Sequence, residues 1–470
     1  MRLWGRSVPW YLILPVVLVI VGVGGPIVYL VVRAFQANPA QLGDLVFRAR
    51  NLRLLANTLL LTGGVLALTA VIALPLAWLT ARVDLWGRRI FTVLGVLPLA
   101  VPGYVMAYGL LAATGQGGTL SRLLGITVPQ TGGYGGSLLA LSFYTYPYLF
   151  LNLRAALLGM DSSLEETARS LGYGRFRTFY RVVLPQLRPA FLAGGLLVGL
   201  HVLGDFGVVS LMRYETFSYA IYLQYAAAYD RIYAAWLALM LLALTSGVLI
   251  LESRVLRGLR FDRPDPGSSR LAALVPPGAW TIPAYGFLIA VSLLAVGLPV
   301  GTVLYWMGES VRTSWVDLAG SLWDSVSASA PAALLASVIA LPLAYVGLRS
   351  PSRFSKSLER FAYLGYAIPP LAFALGWIFL SVNLVPWFYQ TLGLLVLAYA
   401  LHFLAEAIGP IRSALYQTPP ALEEAARSLG RSRLGAFLAA TFPLLKRGFL
   451  VSTAFVFLSA MKELPITFLL

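Results

Sequence analysis

The amino-acid sequence predicts an all-α, polytopic membrane protein built of two tandem, parallel six-helix units, the second one truncated, with about eleven spans present. Composition, long apolar runs and an internal repeat predict this fold. The chain is 59% hydrophobic and 11% charged, whereas soluble domains carry about 25% charged residues. Residues 9–32 and 54–81 contain no charged residue, and each run exceeds the roughly 20 residues that a membrane-spanning helix needs.

The spans follow one another in two sets. The first set is predicted near residues 9–33, 54–81, 90–113, 136–158, 186–212 and 232–253. The second set is predicted near residues 281–307, 328–348, 361–382, 388–411 and 444–470. The net charge is +16, and most basic loops fall on one side of these spans, which predicts a multi-pass inner-membrane protein with a cytoplasmic N-terminus. The first span is interpreted as a retained helix rather than a cleaved signal peptide.

An internal repeat relates the two sets. The segment 73–78 (ALPLAW) recurs as 340–345 (ALPLAY), at an offset of 267 (340 − 73). The segment 165–172 (EETARSLG) recurs as 423–430 (EEAARSLG), at an offset of 258 (423 − 165). The second copy is therefore nine positions shorter (267 − 258) between the motifs. An even number of spans per unit gives both copies the same orientation, as in a parallel repeat.

The repeat predicts three segments: a first unit over 1–262 with six spans, a polar cytoplasmic linker over 263–277, and a second unit over 278–470 with five. The first copy continues beyond Glu165 to about Arg257, a distance of 92 positions (257 − 165). The second copy would need to reach position 515 (423 + 92) to match it, but the sequence ends at 470. We therefore expect that the second unit lacks a twelfth helix.

Between the fourth and fifth spans of each unit lies a loop with a helix-forming sequence, over residues 161–177 and 419–435. In the first loop, Asp161 and Ser162 precede acidic residues that favour a helix start. In the second loop, Thr418 and a proline pair are expected to do the same. A short helix outside the membrane suits docking into a groove on another protein. The alternative is a pair of interfacial amphipathic helices without a partner.

These loops carry a recognisable signature. Glu166-Thr167-Ala168, then Gly172 and Val182-Val183-Leu184-Pro185, resembles the Glu-Ala-Ala…Gly…Ile-x-Leu-Pro loop of ATP-binding-cassette importer permeases. The second copy matches at the first two elements but departs at the Ile and Leu positions. In that family the helix couples each half to one nucleotide-binding subunit. The coupling residues that the resemblance implies are Glu165, Glu166, Thr167, Ala168, Gly172, Leu184 and Pro185, with Glu423, Glu424, Ala425, Ala426, Gly430 and Pro443 in the second copy.

Within the family, the chain is most similar to fused iron(III)-type permeases, through residues 204–207 (GDFG), 213–217 (RYETF), 220–224 (AIYLQ) and 461–465 (MKELP). Importers of thiamine, phosphonate and other anions share this architecture and stay open as alternatives. The resemblance implies two partner ATPase subunits on the cytoplasmic side, which hold ATP and Mg²⁺, and a periplasmic substrate-binding protein. Membrane lipid is expected around the chain, with no nucleic acid and no cofactor within it.

The sequence also argues against enzymatic activity. It has three lysines and none follows a glycine, so it lacks the Gly-x-x-x-x-Gly-Lys phosphate-binding loop and is not expected to hydrolyse ATP. It has no cysteine, which excludes thiolate metal sites and cysteine nucleophiles. An ion-coupled secondary transporter and a membrane-embedded enzyme remain as rival hypotheses.

Two carboxylates are candidates for the translocation pathway. Asp205 and Glu463 stand at the same offset of 258 (463 − 205) and lie deep in their spans, where an acid is costly and usually faces protein or water. They are interpreted as gate or pathway residues. The alternative is a carboxylate bonded to nearby backbone or to Lys462. Kinks are expected at prolines within spans: Pro75, Pro102, Pro342 and Pro369.

His402 and Glu406 lie four residues apart on one predicted helix face. The first copy has Tyr144 and Tyr148 at the corresponding positions, so the pair is not duplicated, and two groups make a poor metal site. We interpret it as a packed polar pair, with substrate contact as the alternative and no metal. His201 is also expected to be a polar packing residue.

Overall fold

The computed structural model describes residues 2–3, 6–7, 13–36, 39–160, 163–257, 274–309, 314–349 and 352–470. Within these ranges the chain is helical, apart from a pair of two-residue antiparallel strands, Arg2–Leu3 and Arg6–Ser7, and a parallel bridge between Val83 and Val275. The predicted all-α fold is confirmed. Most of the predicted linker over 263–277 lies outside the described residues.

The helices of the first sequence half are α1 (Ile13–Ala34), α2 (Pro39–Val46), α3 (Ala49–Ala81), α4 (Arg88–Val96), α5 (Gly103–Ala113), α6 (Thr119–Leu124), α7 (Gly133–Gly159), α8 (Ser163–Ser170), α9 (Arg175–Thr178), α10 (Leu184–Gln186), α11 (Arg188–Gly204), α12 (Gly207–Leu211), α13 (Phe217–Tyr222) and α14 (Arg231–Arg257). Short 3₁₀ turns cover Leu97–Ala100, Gly278–Trp280 and Pro386–Phe388. Wider π-helical turns cover Phe179–Val183, Leu223–Ala227, Leu293–Gly297 and Phe437–Thr441.

The helices of the second sequence half are α15 (Thr281–Ser292), α16 (Leu298–Glu309), α17 (Trp315–Arg349), α18 (Arg353–Ala367), α19 (Pro370–Leu384), α20 (Leu392–His402), α21 (Leu404–Tyr416), α22 (Pro420–Ser428), α23 (Arg433–Ala436), α24 (Phe442–Met461) and α25 (Pro465–Leu469).

Among the described residues, six continuous helical segments are long and apolar enough to cross a membrane, or up to ten spans if each of four bent pairs is counted as one. The remaining predicted span, over 136–158, is α7, an unbroken helix of 27 residues. At 1.5 Å per residue it is about 40 Å long, which is enough to cross a bilayer. Every predicted span therefore has a helical counterpart.

Two spans are bent much more sharply than the predicted proline kinks. The helices on either side of Pro102 meet at 99°, and those on either side of Pro369 meet at 103°. Each proline has extended backbone and stands just before the second helix of its pair, because its ring and missing N–H disfavour a helix interior. Pro75 and Pro342 lie inside α3 and α17 without interrupting them.

The described chain forms two compact units, and each of them combines segments from both halves of the sequence. The first comprises residues 1–46, 221–242 and 313–470, and the second comprises residues 47–220 and 243–312. The division at 1–262, 263–277 and 278–470 marks the duplicated sequence, and as a domain division it stays a prediction.

The opening helix of each sequence half packs with helices of the other half, an arrangement that we call the exchanged first helices. In the first compact unit α1 packs on α19, and a Cβ at Gly376 would lie 2.8 Å from the Pro26 Cα. In the second compact unit α16 packs on α5, and a Cβ at Gly109 would lie 2.8 Å from the Pro299 Cα. The two glycines stand at the repeat offset of 267 (376 − 109), so the duplication extends to this contact.

The core of each unit is a three-helix cluster. In the second compact unit α3, α7 and α11 pack around fully buried side chains such as Leu61, Tyr146 and Phe150. In the first compact unit α17, α21 and α24 take the matching places. The Ser337 hydroxyl on α17 and the Ser452 hydroxyl on α24 form a hydrogen bond of 3.0 Å. Small and hydroxyl-bearing residues let membrane helices approach closely.

Candidate functional site

The candidate coupling loops fold into the two loop helices, α8 and α22. They follow α7 and α21, the last helices of the fourth predicted spans, so each copy has its loop helix at the predicted place. Residues 161–162, the predicted cap of the first loop helix, lie outside the described residues. The predicted role of Thr418 as a cap is wrong, because its hydroxyl donates back to the Ala414 carbonyl at 2.9 Å. Instead α22 begins at Pro420, which suits a first helical position.

Both loop helices end in the way that the sequence predicts. Gly172 and Gly430 have φ angles of +82° and +84°, in the left-handed region that glycine adopts without a steric penalty. The amides of Gly172 and Tyr173 donate to carbonyls of α8 at 2.9 and 3.0 Å. The amides of Gly430 and Arg431 make the matching bonds in the second copy at 3.0 and 3.3 Å.

The two adjacent acids of the first loop helix have different environments. Glu165 is buried and accepts a hydrogen bond from Arg82 Nη2 at 2.8 Å, and the two side chains are 11% and 4% exposed. Arg82 directly follows α3, so this ion pair joins α8 to the end of a core helix. Glu166 is exposed. Of the two acids, only Glu166 has an exposed side chain.

The second copy holds its inner acid with neutral groups. Glu423 accepts hydrogen bonds from the Tyr345 hydroxyl at 2.6 Å and the Thr441 hydroxyl at 3.1 Å. Arg349, which corresponds to Arg82 (349 − 82 = 267), instead donates to the Thr418 carbonyl at 2.6 Å. Glu424 is exposed, like Glu166. The outward acid is therefore duplicated, whereas the support of the inward acid is not.

The small residues of the signature divide between the faces of the loop helices. Ala168 is buried, and Ala426 is half-buried. Thr167 and Ala425 are exposed, and the Thr167 hydroxyl donates to the Ser163 carbonyl at 2.8 Å. The implied coupling residues thus include both a face that packs on the protein and a face that is open.

After each loop helix the chain enters a π-helical turn. The turns Phe179–Val183 and Phe437–Thr441 stand at the repeat offset of 258 (437 − 179), and each opens on a phenylalanine. Phe179 meets Trp78 edge-on at 5.2 Å, and Phe437 meets Tyr345 edge-on at 5.4 Å. Leu184 and Pro185 begin α10, and Pro443 lies in the first turn of α24. The signature therefore continues into the span that follows.

An exposed apolar surface around the loop helices is a feature that the sequence reasoning missed. Leu171 and Leu429, at matching positions, are 73% and 86% exposed. Three further matched pairs of apolar residues are also exposed: Leu164 and Leu422, Phe176 and Leu434, Tyr180 and Leu438. Clustered apolar residues on a surface mark interaction sites. The signal in the sequence was the recurrence of apolar residues at a spacing of 258 within polar loops.

The two pathway candidates act as helix caps. Asp205 Oδ1 accepts the backbone N–H groups of Val208 at 2.9 Å and Val209 at 3.3 Å. Glu463 accepts those of Ile466 at 2.8 Å and Thr467 at 3.2 Å through Oε2. These carboxylates thus bond to nearby backbone, and each satisfies the free amides at the start of a short helix. A role in a gate or pathway stays a prediction.

His402 is buried and His201 is half-buried, and both pack against aromatic side chains. His402 is buried against the rings of Phe373 and Phe403, and Glu406 accepts a hydrogen bond from Ser459 at 2.6 Å. In the first copy, the Tyr148 hydroxyl and His201 Nε2 are 2.8 Å apart. Both histidines are packed polar residues. Among the described residues, no group of three or more His, Cys, Asp or Glu could hold a metal ion.

Comparison with known proteins places these features in a family. The family described as "Binding-protein-dependent transport system inner membrane component" matches residues 73–260 and 332–470. The two matches fall in the two copies of the repeat, and each contains one loop helix.

Individual relatives extend over most of the chain. It is 30% identical to the Fe(3+)-transport system permease protein FbpB 2 of Haemophilus influenzae, over 99% of this chain and 90% of that protein. It is 24% identical to the ferric transport system permease protein FbpB of Actinobacillus pleuropneumoniae, over 90% of this chain and 65% of that protein. A shorter match, 34% identical, covers 32% of this chain and 69% of the molybdenum transport system permease protein ModB of Escherichia coli.

Proposed function

Because the chain belongs to the family of binding-protein-dependent transport system inner membrane components, we propose that two ATPase subunits drive it by docking on its two loop helices. It is a multi-pass inner-membrane permease and a transport component rather than an enzyme. The N-terminus and both loop helices lie in the cytoplasm. A periplasmic binding protein delivers the substrate to the opposite face, and ATP and Mg²⁺ bind to the partner subunits.

The observation that carries this proposal is the matched exposure of the two loop helices. Each presents one exposed acid, Glu166 or Glu424, and five positions later an exposed leucine, Leu171 or Leu429. An apolar anchor rimmed by charge fits a groove on a protein partner. Two such surfaces at equivalent positions suit two copies of one ATPase subunit.

The inner acids connect these surfaces to the bundle. Movement of α8 is transmitted to α3 through the buried Arg82–Glu165 pair, and movement of α22 is transmitted to α17 through Tyr345 and Glu423. ATP binding and hydrolysis on the partner subunits would move both loop helices and so switch the bundle between outward- and inward-facing states.

The substrate class that we propose is iron(III). It is supported by the ferric permease relatives, one of which matches over 99% of this chain. A small oxyanion is the second candidate, since the molybdenum permease relative is 34% identical over its shorter match. Uptake of radioactive iron(III) and of molybdate into proteoliposomes that contain the permease, its ATPase and its binding protein distinguishes the two candidates.

The docking proposal is tested by charge reversal at the outward acids. The Glu166→Lys/Glu424→Lys double variant should bind the partner ATPase at least about tenfold more weakly, because charge reversal places a repulsive element in the interface. Affinity is measured with the purified permease in nanodiscs. Glu309→Lys/Asp317→Lys makes the same change at exposed acids outside the loop helices and should leave affinity unchanged. Equal affinity of the two double variants would contradict the proposal.

A further inference from the structure

A cavity of about 290 Å³ lies within the first compact unit, away from the loop helices. It is formed where the end of α1, the turn before α14 and the end of α19 come together. Two arginines, three tyrosines and an asparagine line it: Tyr29, Arg33, Tyr225, Arg231, Asn383 and Tyr389. Neither the proposed coupling nor the candidate pathway carboxylates involve these residues.

The cavity carries positive charge without a compensating acid. Its lining contains no carboxylate, and among the described residues no carboxylate forms an ion pair with Arg33 or Arg231. Arg33 Nη1 donates to Gln36 Oε1 at 2.5 Å, while its Nε is buried without a hydrogen-bond partner. A buried donor is normally satisfied, and the Arg33 Nε–H has no acceptor within the described residues, so it is available to a ligand.

The three tyrosines of the cavity lining supply hydroxyl groups in addition to the two guanidinium groups. The rings of Tyr29 and Tyr225 pack against Phe379 with centroids 5.8 and 6.1 Å away. Tyr225, Tyr389 and Arg231 line the same cavity. Guanidinium and phenol groups are donors that suit an oxygen-bearing anion, and the planar guanidinium binds such anions through two parallel bonds.

The backbone beside the cavity is strained. Tyr229 and Gln390 have φ angles of +54° and +56°, and they are two of the three non-glycine residues with positive φ in the described chain. Each adjoins lining residues, since Tyr229 precedes Arg231 by two positions and Gln390 follows Tyr389. Such conformations persist where the surroundings enforce them, and they cluster at ligand sites.

We propose that this cavity binds an oxyanion, a phosphate or carboxylate group held between the Arg33 and Arg231 guanidinium groups with tyrosine hydroxyls as additional donors. The anionic group can belong to a soluble ion or to a lipid headgroup, since both present the same oxygen atoms. With the N-terminus in the cytoplasm, as proposed above, the end of α1 lies on the outer side, where both sources have access. The binding chemistry itself requires neither the ATPase nor the coupling loops.

The test uses the purified full chain without any ATPase, so its failure leaves the docking proposal untouched. In nanodiscs of phosphatidylcholine, binding of ³²P-labelled inorganic phosphate is measured at equilibrium. In nanodiscs that also contain phosphatidylglycerol, native mass spectrometry counts the anionic lipids retained by the protein. The Arg33→Gln/Arg231→Gln variant is compared with wild type, and Arg447→Gln, an exposed arginine on α24, is the control.

The double variant should bind phosphate at least about tenfold more weakly, because each guanidinium contributes a charge-assisted bond. The control should match the wild type. If phosphate does not bind but the wild type retains one anionic lipid that the double variant releases, the lipid headgroup is the source and the proposal holds. Equal behaviour of wild type and double variant in both kinds of nanodisc, including no binding at all, overturns it. Unchanged thermal unfolding of the variant verifies that its fold is intact.

Discussion

The two copies of the repeat hold their loop helices at matching positions by different chemistry. In the first copy a buried ion pair, Arg82 with Glu165, ties α8 to the end of α3. In the second copy two hydroxyl groups hold Glu423, and Arg349 binds a backbone carbonyl instead. The duplicated backbone has thus kept the position of the inner acid while its partners have changed. What the fold requires here is an anchored carboxylate, and it does not require a particular counter-group.

A second pair of corresponding contacts within the bundle also keeps its position while its side chains differ. Tyr148 bonds to His201 in the first copy, and Glu406 bonds to Ser459 in the second. Both pairs join corresponding residues, since 406 − 148 and 459 − 201 are each 258. An interhelical hydrogen bond at this level has therefore been retained through a complete change of side chains. Polar contacts of this kind hold membrane helices together.

Removing the arginine of the ion pair should give the largest difference between the copies. Arg82→Met leaves Glu165 buried and unpaired, which should cost about 3–5 kcal/mol. Arg349→Met removes a charge-assisted bond to a carbonyl and should cost about 1.5–3 kcal/mol. Amide hydrogen exchange over residues 163–170 and 420–428 measures how much each loop helix is loosened.

The Arg82→Met/Glu165→Met variant controls for the ion-pair interpretation. Replacing both partners with apolar residues avoids the lone buried charge, so most of the lost protection should return. Equal loosening by Arg82→Met and Arg349→Met, or a double variant as loose as the single one, would contradict the proposed difference.

A smaller effect, present in both copies, is expected at the exchanged first helices. Gly376→Ala and Gly109→Ala each place a Cβ within 2.8 Å of a proline Cα, and over-packing of this kind costs about 1–3 kcal/mol. Thermal unfolding of the two purified variants in detergent measures the loss. Gly247→Ala, where a Cβ meets nothing within 4 Å, is the control. A loss at only one of the two glycines would show that this contact is not equivalent in the two copies.

The smallest effects are expected when the neutral support of Glu423 is weakened. Tyr345→Phe and Thr441→Val each remove one hydroxyl donor and should each cost about 0.5–1.5 kcal/mol. Thr441→Val introduces the residue that the first copy has at the corresponding position, Val183. Hydrogen exchange over 420–428 should quicken in both variants, while exchange over 163–170 stays unchanged. If exchange over 420–428 does not quicken, these hydroxyls do not anchor α22.

Much of the fold was predictable because the signals are local. The lengths of the helical runs located the spans, and the glycines at 172 and 430 marked the ends of both loop helices, since each needs a left-handed backbone there. The exposed acids and the repeat were visible for the same reason. These features depend on residues within one or two turns of each other.

Features that depend on distant contacts were not predictable. Arg82 and Glu165 are 83 residues apart, and the second copy does not repeat their pairing, so the duplication gave no hint of it. The bends of 99° and 103° exceed ordinary proline kinks because the residues at the break adopt extended backbone. The sequence also did not predict the exchange of the first helices, because apolar side chains on a helix surface can face either lipid or another helix.

The exchanged first helices have a consequence for biosynthesis. Helix α1 packs on α19, yet α1 ends at Ala34 and α19 begins only at Pro370, in the last third of the sequence. The ribosome therefore inserts α1 long before its neighbour exists, and lipid must shield that surface in the meantime. The packing of α1 on α19 forms only after most of the polypeptide has been translated, so termination before α19 would leave α1 in the bilayer without this packing partner.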